Sequence, residues 1–210
     1  IIGIVTKTGE VLKKRTGEAI DFWRLPDDGL RISDDGTQVE LPIDSDNKRW
    51  ARFSVTSGTI ALDSEGKLNK PKVYAAGISI GKARSFQNPT LNGKPLAIGG
   101  KENRLLSIAI ASDGNGFVAG TDTGLFAFSK DGARRRFGGN RSVRHVNLSA
   151  DGRLVVVASG ATIHWYRYSD GQKLLEFLML NRGERWIAWT PRGYYMASEA
   201  GGELMGWQVN

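Results

Sequence analysis

Cysteine is absent from the 210-residue sequence, which excludes disulfides, thiolate zinc sites and a cysteine nucleophile within these residues. Long apolar stretches are absent too, since the longest uninterrupted one is Leu154 to Ala158, far below the ~18 residues of a membrane span. Neither end carries a signal-peptide pattern, so we expect no membrane association and, by default, cytoplasmic localisation. Proline is scarce at 6 residues whereas glycine reaches 27, which favours many tight turns between short strands.

The charge balance is basic, with 29 Lys and Arg residues against 22 Asp and Glu residues and a formal net charge of +7. Such an excess favours association with nucleic acid or with an acidic protein surface, although ordinary solubility explains it as well. The chain is 40% hydrophobic, and its length is sufficient to bury one substantial core. We therefore expect a folded, compact protein.

The second half of the sequence repeats one pattern three times: an alternating apolar strand, a turn ending in glycine, a second strand, a break and an aromatic third strand. The copies span Leu106–Asp131, Val143–Asp170 and Trp186–Asn210. Their turn glycines, Gly114, Gly152 and Gly193, are 38 and 41 positions apart, close to the ~40–45 residues of a propeller blade. Residues 134–137 and 173–180 follow the first two copies and predict a fourth, outer strand for each.

The sequence therefore predicts an all-β fold, a WD-repeat-like β-propeller segment of about four to five four-stranded antiparallel blades. Residues 89–210 contain the three clear blades, and residues 1–88 contain weakly patterned ones. Two short blades are predicted in this first part: one from residues 19–26 with a turn at Asp28-Gly29, and one from residues 49–55 with a turn at Ser57-Gly58. Residues 82–95 predict a long loop, and no helix is expected.

The pattern predicts one propeller segment over 1–210, and both of its ends are typical of an unfinished ring. Residues 1–15 match the outer strands of a blade whose beginning is missing, and the third copy stops at Asn210 without a fourth strand. Because open sheet edges pair readily with other chains, we expect the remaining strands or blades to come from another segment of the parent protein.

The strongest family signal lies at the end of the chain, in RWIAWTPRGYYMAS at 185–198 and LMGWQVN at 204–210. With these strings the chain resembles the closing blades of bacterial WD-repeat-like propellers attached to caspase-like peptidases. The resemblance extends over 162–171, 146–158 and 89–96, and more loosely over 25–29. Two departures, Gly160-Ala161 where the pattern has Asp-Gly and Gln208 where it has His, imply a loosened turn.

The resemblance implies a regulatory role and no chemistry. In that family the propeller is a sensor or docking segment, and the peptidase with its Cys and His lies on a separate C-terminal domain. We therefore expect a non-catalytic scaffold for protein–protein interaction, with no catalytic residue, metal or cofactor in these residues. The expected partner is a protein, including the remaining blades or the peptidase part of the same parent.

Two other function classes stay open. One is a nucleic-acid-binding propeller that uses its basic surface. The other is a serine hydrolase centred on Ser79, because residues 77–81 match the G-x-S-x-G nucleophile elbow. That elbow needs a helix directly after the serine, and the residues that follow lack helical periodicity, so the hydrolase is disfavoured. His145 and His164 lie on predicted strands, where strand packing is expected rather than a Ser-His-Asp arrangement.

Five arginines form the densest basic cluster, around a predicted outer strand and the loop that follows it: Arg134, Arg135, Arg136, Arg141 and Arg144. They are the candidate partner-binding residues, with a solvated outer strand as the alternative.

Six aromatic residues near the end could stack on bases or sugars, but their regular position favours a core between blades: Trp165, Trp186, Trp189, Tyr194, Tyr195 and Trp207. Residues 44–48 begin like a calcium loop but lack its ligand pattern, so a solvated turn is expected.

Overall fold

The structure, a computed structural model, describes residues 2–5, 11–15, 18–81, 86–98, 104–137 and 141–204. In chain order the strands are β1 (Ile2–Val5), β2 (Val11–Arg15), β3 (Arg31–Ile32), β4 (Gln38–Pro42), β5 (Trp50–Ser54), β6 (Thr59–Ser64), β7 (Ile80–Gly81), β8 (Phe86–Gln87), β9 (Thr90–Leu91), β10 (Lys94–Pro95), β11 (Arg104–Ile110), β12 (Gly116–Thr121), β13 (Leu125–Ser129), β14 (Arg134–Arg136), β15 (Val143–Leu148), β16 (Leu154–Ser159), β17 (Thr162–Arg167), β18 (Lys173–Leu180), β19 (Arg185–Trp189) and β20 (Tyr195–Ala197). The helical segments of this part of the chain are two 3-10 turns, Asn181–Gly183 and Gly202–Leu204. Neither of them is long and apolar enough to cross a membrane.

Antiparallel sheets built from neighbouring strands make up the fold, which confirms the all-β prediction. Sheet A contains β3-β4-β5-β6, and sheet B contains β7-β9-β10. Sheet C contains β8-β11-β12-β13-β14, sheet D contains β15 to β20 in chain order, and β1 pairs with β2 as a separate hairpin. Short turns suffice to join antiparallel neighbours, so sheets A and D and strands β11 to β14 of sheet C are meanders of consecutive strands, whereas β8 joins sheet C by pairing with β11.

Apolar side chains from facing sheets form three cores that stack the sheets in the order B, C, D, A. Leu91 packs with Phe128 between sheets B and C, and Val118 packs with Val146 between sheets C and D. Phe53 of sheet A lies in the core against sheet D. Among the described residues no apolar core joins sheet A to sheet B, so the stack is an arc and not a closed ring.

The turns between the first two strands of sheets A, C and D have the same glycine geometry. Gly36, Gly114 and Gly152 have φ values of 71°, 68° and 69°, a left-handed conformation that glycine adopts without steric cost. In the turns of sheets A and D the serine three positions earlier donates its hydroxyl to the intervening Asp carboxylate at 2.6 Å. The local sequence thus dictates the turn.

These equivalent turns also contact each other. The Ala150 amide of sheet D donates to the Asp34 carbonyl of sheet A at 2.7 Å, and the Ser112 hydroxyl of sheet C donates to the Ala150 carbonyl at 2.8 Å. Residues 34, 112 and 150 hold corresponding places in their turns. The equivalent turns of sheets C, D and A therefore lie side by side in the stack.

Residues 69–73 cross the first strands of sheets A, D and C and so bring these strands together. Asn69 pairs with Ile32 of β3, and its carbonyl accepts the side-chain amide of Asn147 on β15 at 2.9 Å. The Lys72 carbonyl accepts the Ile110 amide of β11 at 2.7 Å. One end of each first strand thereby borders a shared surface.

The third sequence copy does not form a blade of its own. Strand β19 pairs with β18, as in Leu178 opposite Ile187, so the second and third copies share the six-stranded sheet D. The physical reason is the connection: only residues 181–184 separate the two strands, which is enough for a hairpin but not for a crossing to a new sheet. Residues 205–210, expected to form the next strand, lie outside the described residues.

The first part of the chain also differs from the prediction. Residues 19–26 contain no strand, and a single bridge joins Ala19 to Leu180. Residues 31–64 form one four-stranded sheet, with the predicted turn at Ser57-Gly58 joining β5 to β6. The expected loop at 82–95 carries β8, β9 and β10 in its described part. The fourth strands predicted at 134–137 and 173–180 are confirmed as β14 and β18.

Candidate interaction surface

The Trp23 side chain is exposed to solvent, and the preceding residue, Phe22, is anchored in the core. Phe22 is 3% exposed and packs in the core between sheets A and D, whereas Trp23 is 59% exposed. The Phe22 carbonyl lies 2.8 Å from Nε2 of His145 on β15, and because a carbonyl only accepts, Nε2 is the donor. Burial lowers the pKa of His145, so the ring is neutral and this bond fixes the backbone on which Trp23 stands.

Arg144 lies over the exposed indole. Its Cζ is 5.0 Å from the Trp23 ring centroid, a cation–π geometry. Its Nε is buried and has no hydrogen-bond partner among the described residues. A buried donor without an acceptor is costly, so this nitrogen marks a place where an acceptor is missing.

A small cavity next to Arg144 contains a second such group. Its volume is about 10 Å³, room for about one water-sized atom. The Oγ atom of Ser107, which lines the cavity, is also buried without a partner in the described part of the chain. The lining residues are Asp27, Pro71, Val73, Leu106, Ser107, Ile108, Arg144 and Val146.

We call Trp23, Val73, Ser107 and Arg144 the Trp23–Arg144 surface. It combines an exposed indole, an apolar side chain that is 44% exposed and two buried donors. Asp27, the acidic residue of the cavity lining, interacts with His145 through its backbone and its charge. The surface can therefore accept an apolar group and an acceptor oxygen side by side.

The predicted arginine cluster is divided in the structure. On β14, Arg134 and Arg136 lie over the Phe126 ring at 5.3 and 5.6 Å and donate to the carbonyls of Ala97 and Thr123. Arg135 points the other way, lies 5.0 Å from the Phe137 ring and donates to the carbonyls of Tyr168 and Ser169. Arg134 and Arg135 therefore tie sheet C to the segment after sheet B and to sheet D, Arg136 bonds within sheet C, and partner binding through β14 stays a prediction.

The last two arginines of the cluster lie elsewhere. Arg141 is exposed in the segment that leads to β15, near Gly160. Arg144 stands on β15 itself, the edge strand of sheet D. The structure thus does not unite the five arginines in one site, and it gives Arg144 a surface that the sequence did not indicate.

Ser79 lacks the surroundings of a nucleophile elbow. Strand β7 follows it directly at residues 80–81 where the elbow requires a helix. Its backbone amide donates to the Asn92 side-chain oxygen at 2.8 Å. The geometry at Ser79 is that of a turn next to a strand.

His164 is part of a buried polar group on sheet D. Its Nε2 is 2.8 Å from the Thr162 hydroxyl, and its Nδ1 is 3.3 Å from Oε2 of Glu176 without hydrogen-bond geometry. Lys173 Nζ lies 3.0 Å from the other oxygen of Glu176. Burial lowers the pKa of His164 to about 4, against the opposing attraction of Glu176. The neutral ring serves strand packing, as expected.

The aromatic residues near the end separate by burial. Trp165 and Trp186 are 2% and 5% exposed in the core between sheets A and D, which confirms their predicted role. Tyr194 and Tyr195 are exposed, and Trp207 lies outside the described residues.

In the turn that begins at residue 44, the Asp44 carboxylate accepts hydrogen bonds from two backbone amides. No cluster of three metal-ligating side chains occurs in the described residues.

Trp23 was missed because sequence alternation cannot separate it from Phe22. Both are aromatic and adjacent, and which one is buried depends on the distant His145 and on sheet D. The exposed Trp23 indole and the Arg144 guanidinium above it lie on an all-β stack of antiparallel sheets.

No family model and no curated protein matches the chain. Among solved structures, a chain of the "Crystal Structure of Mitotic Checkpoint Complex" is similar with a TM-score of 0.38 and 15% sequence identity, over 77% of this chain. The match spans 56% of the length of that chain.

Proposed function

We propose that this chain is a non-catalytic scaffold for protein–protein interaction. The observation that carries the proposal is the Trp23–Arg144 pair, an exposed indole under a guanidinium on a backbone fixed by buried residues. Trp and Arg are enriched among the residues that dominate binding energy at protein interfaces. A rigid backbone lowers the entropy lost on binding, which suits recognition.

The scaffold is, in this proposal, a segment of a WD-repeat-like propeller. Support comes from the equivalent turns at Gly36, Gly114 and Gly152 and from the repeated contact between them. One repeated step between blades is how a propeller is generated. The arc of sheets would then be the part of a ring that these residues supply.

The proposed context is a bacterial protein with a caspase-like peptidase, supported by the family resemblance of residues 185–198 and 204–210. Partner binding at the scaffold would change the position or the activity of the attached peptidase. A cytoplasmic location belongs to the same proposal. Nucleic-acid binding is less favoured, because the β14 arginines already donate to protein carbonyls, and hydrolysis at Ser79 lacks its helix.

The experiment compares the full-length parent protein with a variant that lacks the propeller segment. Peptidase activity that changes its response to cellular extract on deletion supports a regulatory scaffold. An unchanged response removes the link to the peptidase. In parallel, ester hydrolysis that disappears in Ser79→Ala, or DNA binding that falls steeply with salt, would replace the proposal with one of the alternatives.

A further inference from the structure

Two residues that line the cavity near Trp23 each carry a buried donor, and these donors define what a ligand must supply. Arg144 Nε is an N–H donor that never deprotonates in proteins, and Ser107 Oγ can donate as well. Both atoms are buried without partners in the described residues, and both residues line the same cavity. An acceptor oxygen placed there would satisfy two groups at once.

The positive charge of Arg144 favours a carboxylate over a neutral oxygen as the acceptor. A hydrogen bond from a guanidinium is about twice as strong to an ionised acceptor as to a neutral one. The formal net charge of +7 attracts an acidic segment at long range. Asp27 also lines the cavity and acts on His145, and Arg144 is the cation among the residues of the lining.

The apolar part of the surface lies directly beside these donors. The Trp23 indole is 59% exposed and Val73 is 44% exposed, although large apolar side chains gain by removal from water. The cavity of about 10 Å³ holds one oxygen atom and not a whole side chain. The bound segment must therefore lie across the surface and insert only its carboxylate oxygen.

We propose that the Trp23–Arg144 surface is a docking site for a short acidic peptide segment of a protein partner. Its Asp or Glu carboxylate accepts hydrogen bonds from Arg144 Nε and Ser107 Oγ, and an adjacent apolar side chain packs on Trp23 and Val73. This inference rests on the proposed scaffold function and names the chemistry of its partner.

The test selects a displayed library of random heptapeptides against the protein and measures the enriched consensus as a labelled synthetic peptide by fluorescence anisotropy. We expect a consensus with Asp or Glu within two positions of an apolar residue. Replacing that acid by its amide, or Arg144 by Gln, should weaken binding about tenfold or more. Arg144→Lys should also weaken it, because the charge remains but Nε is lost.

Arg153→Gln is the matched control, since it removes the same charge from a side chain that is 84% exposed in a distant turn. Ser107→Ala is a second, smaller variant that keeps the test valid if Arg144→Gln does not fold. No enriched peptide, or an equal loss in Arg144→Gln and Arg153→Gln, overturns the docking site. Enriched peptides without an acid that lose affinity in Trp23→Ala overturn the acidic partner alone and leave the scaffold function standing.

Discussion

Removal of the Phe53 ring tests the contact between sheets A and D. Phe53 is fully buried, and its ring centroid lies 4.1 Å from that of Phe177 and 5.1 Å from that of Trp186. Large-to-small changes of a buried Phe cost about 3–5 kcal/mol. Because rigid aromatic rings surround the site and cannot collapse into it, we expect Phe53→Ala to lower the free energy of unfolding by about 4 kcal/mol.

Urea unfolding measures this loss. With a slope of about 2 kcal/mol per molar urea, the midpoint should fall by about 2 M. Tryptophan fluorescence should report the change directly, because Trp165 and Trp186 both contact Phe53. Tyr194→Ala, at a side chain 75% exposed, is the control and should stay within about 0.5 kcal/mol. A midpoint for Phe53→Ala that matches this control would refute the packing of sheet A on sheet D.

Three further predictions concern stability. Arg52→Leu removes both donors, at 2.7 and 3.0 Å, from Oε1 of the fully buried Glu40, leaves, among the described residues, only the Leu68 amide on Oε2, and should cost about 3–5 kcal/mol in urea unfolding; Glu40→Gln in the same chain should restore about half, and no recovery would contradict the role of the buried charge. Gly120→Ala places a Cβ 2.5 Å from the Val143 carbonyl oxygen and should cost about 1–3 kcal/mol, whereas Gly202→Ala, with open space, should be nearly neutral. Burial depresses the pKa of His164 from 6.5 to about 4, so the unfolded chain protonates first and stability should fall as pH drops from 6.5 towards 4; His164→Gln should flatten this fall in Tm, and equal slopes would rule the effect out.

Local sequence determined much of the fold. Residues 106–180 carry alternating strands and turn glycines, and the structure has strands β11 to β18 there, including the outer strand at 134–136. The same Ser-x-Asp-Gly string that turns at 149–152 also occurs at 33–36, and it would have located sheet A. Alternation at 19–26 was misleading, since these residues serve as a packing segment and form only one bridge.

Two features lie outside what the repeat pattern encodes. The first is the pairing of β19 with β18 across the short connection 181–184, which places β19 in sheet D. At the candidate surface, the sequence groups Arg144 with the neighbouring arginines, whereas in the structure it lies over Trp23 and lines a cavity together with Ser107. These residues are far apart along the chain, and only the stacking of sheets C and D with residues 22–23 brings them together.

Polar groups explain why sheet A packs on sheet D. Packing in an apolar core is non-directional and tolerates substitutes of similar volume, so it stabilises a stack without determining which sheets become neighbours. Three side-chain donors on sheet D make the packing specific: His145 donates to the Phe22 carbonyl, Asn147 to the Leu30 carbonyl at 3.0 Å and Trp165 Nε1 to the Gly36 carbonyl at 2.8 Å.

Each of these donors would cost about 1–3 kcal/mol if it stayed buried without an acceptor. All three together approach the net stability of about 5–15 kcal/mol that a native protein has. Any order of sheets that separates residues 22–36 from sheet D is therefore penalised. The first of the three bonds also holds Trp23 beside Arg144, so the contact that selects the neighbour of sheet D builds the interaction surface as well.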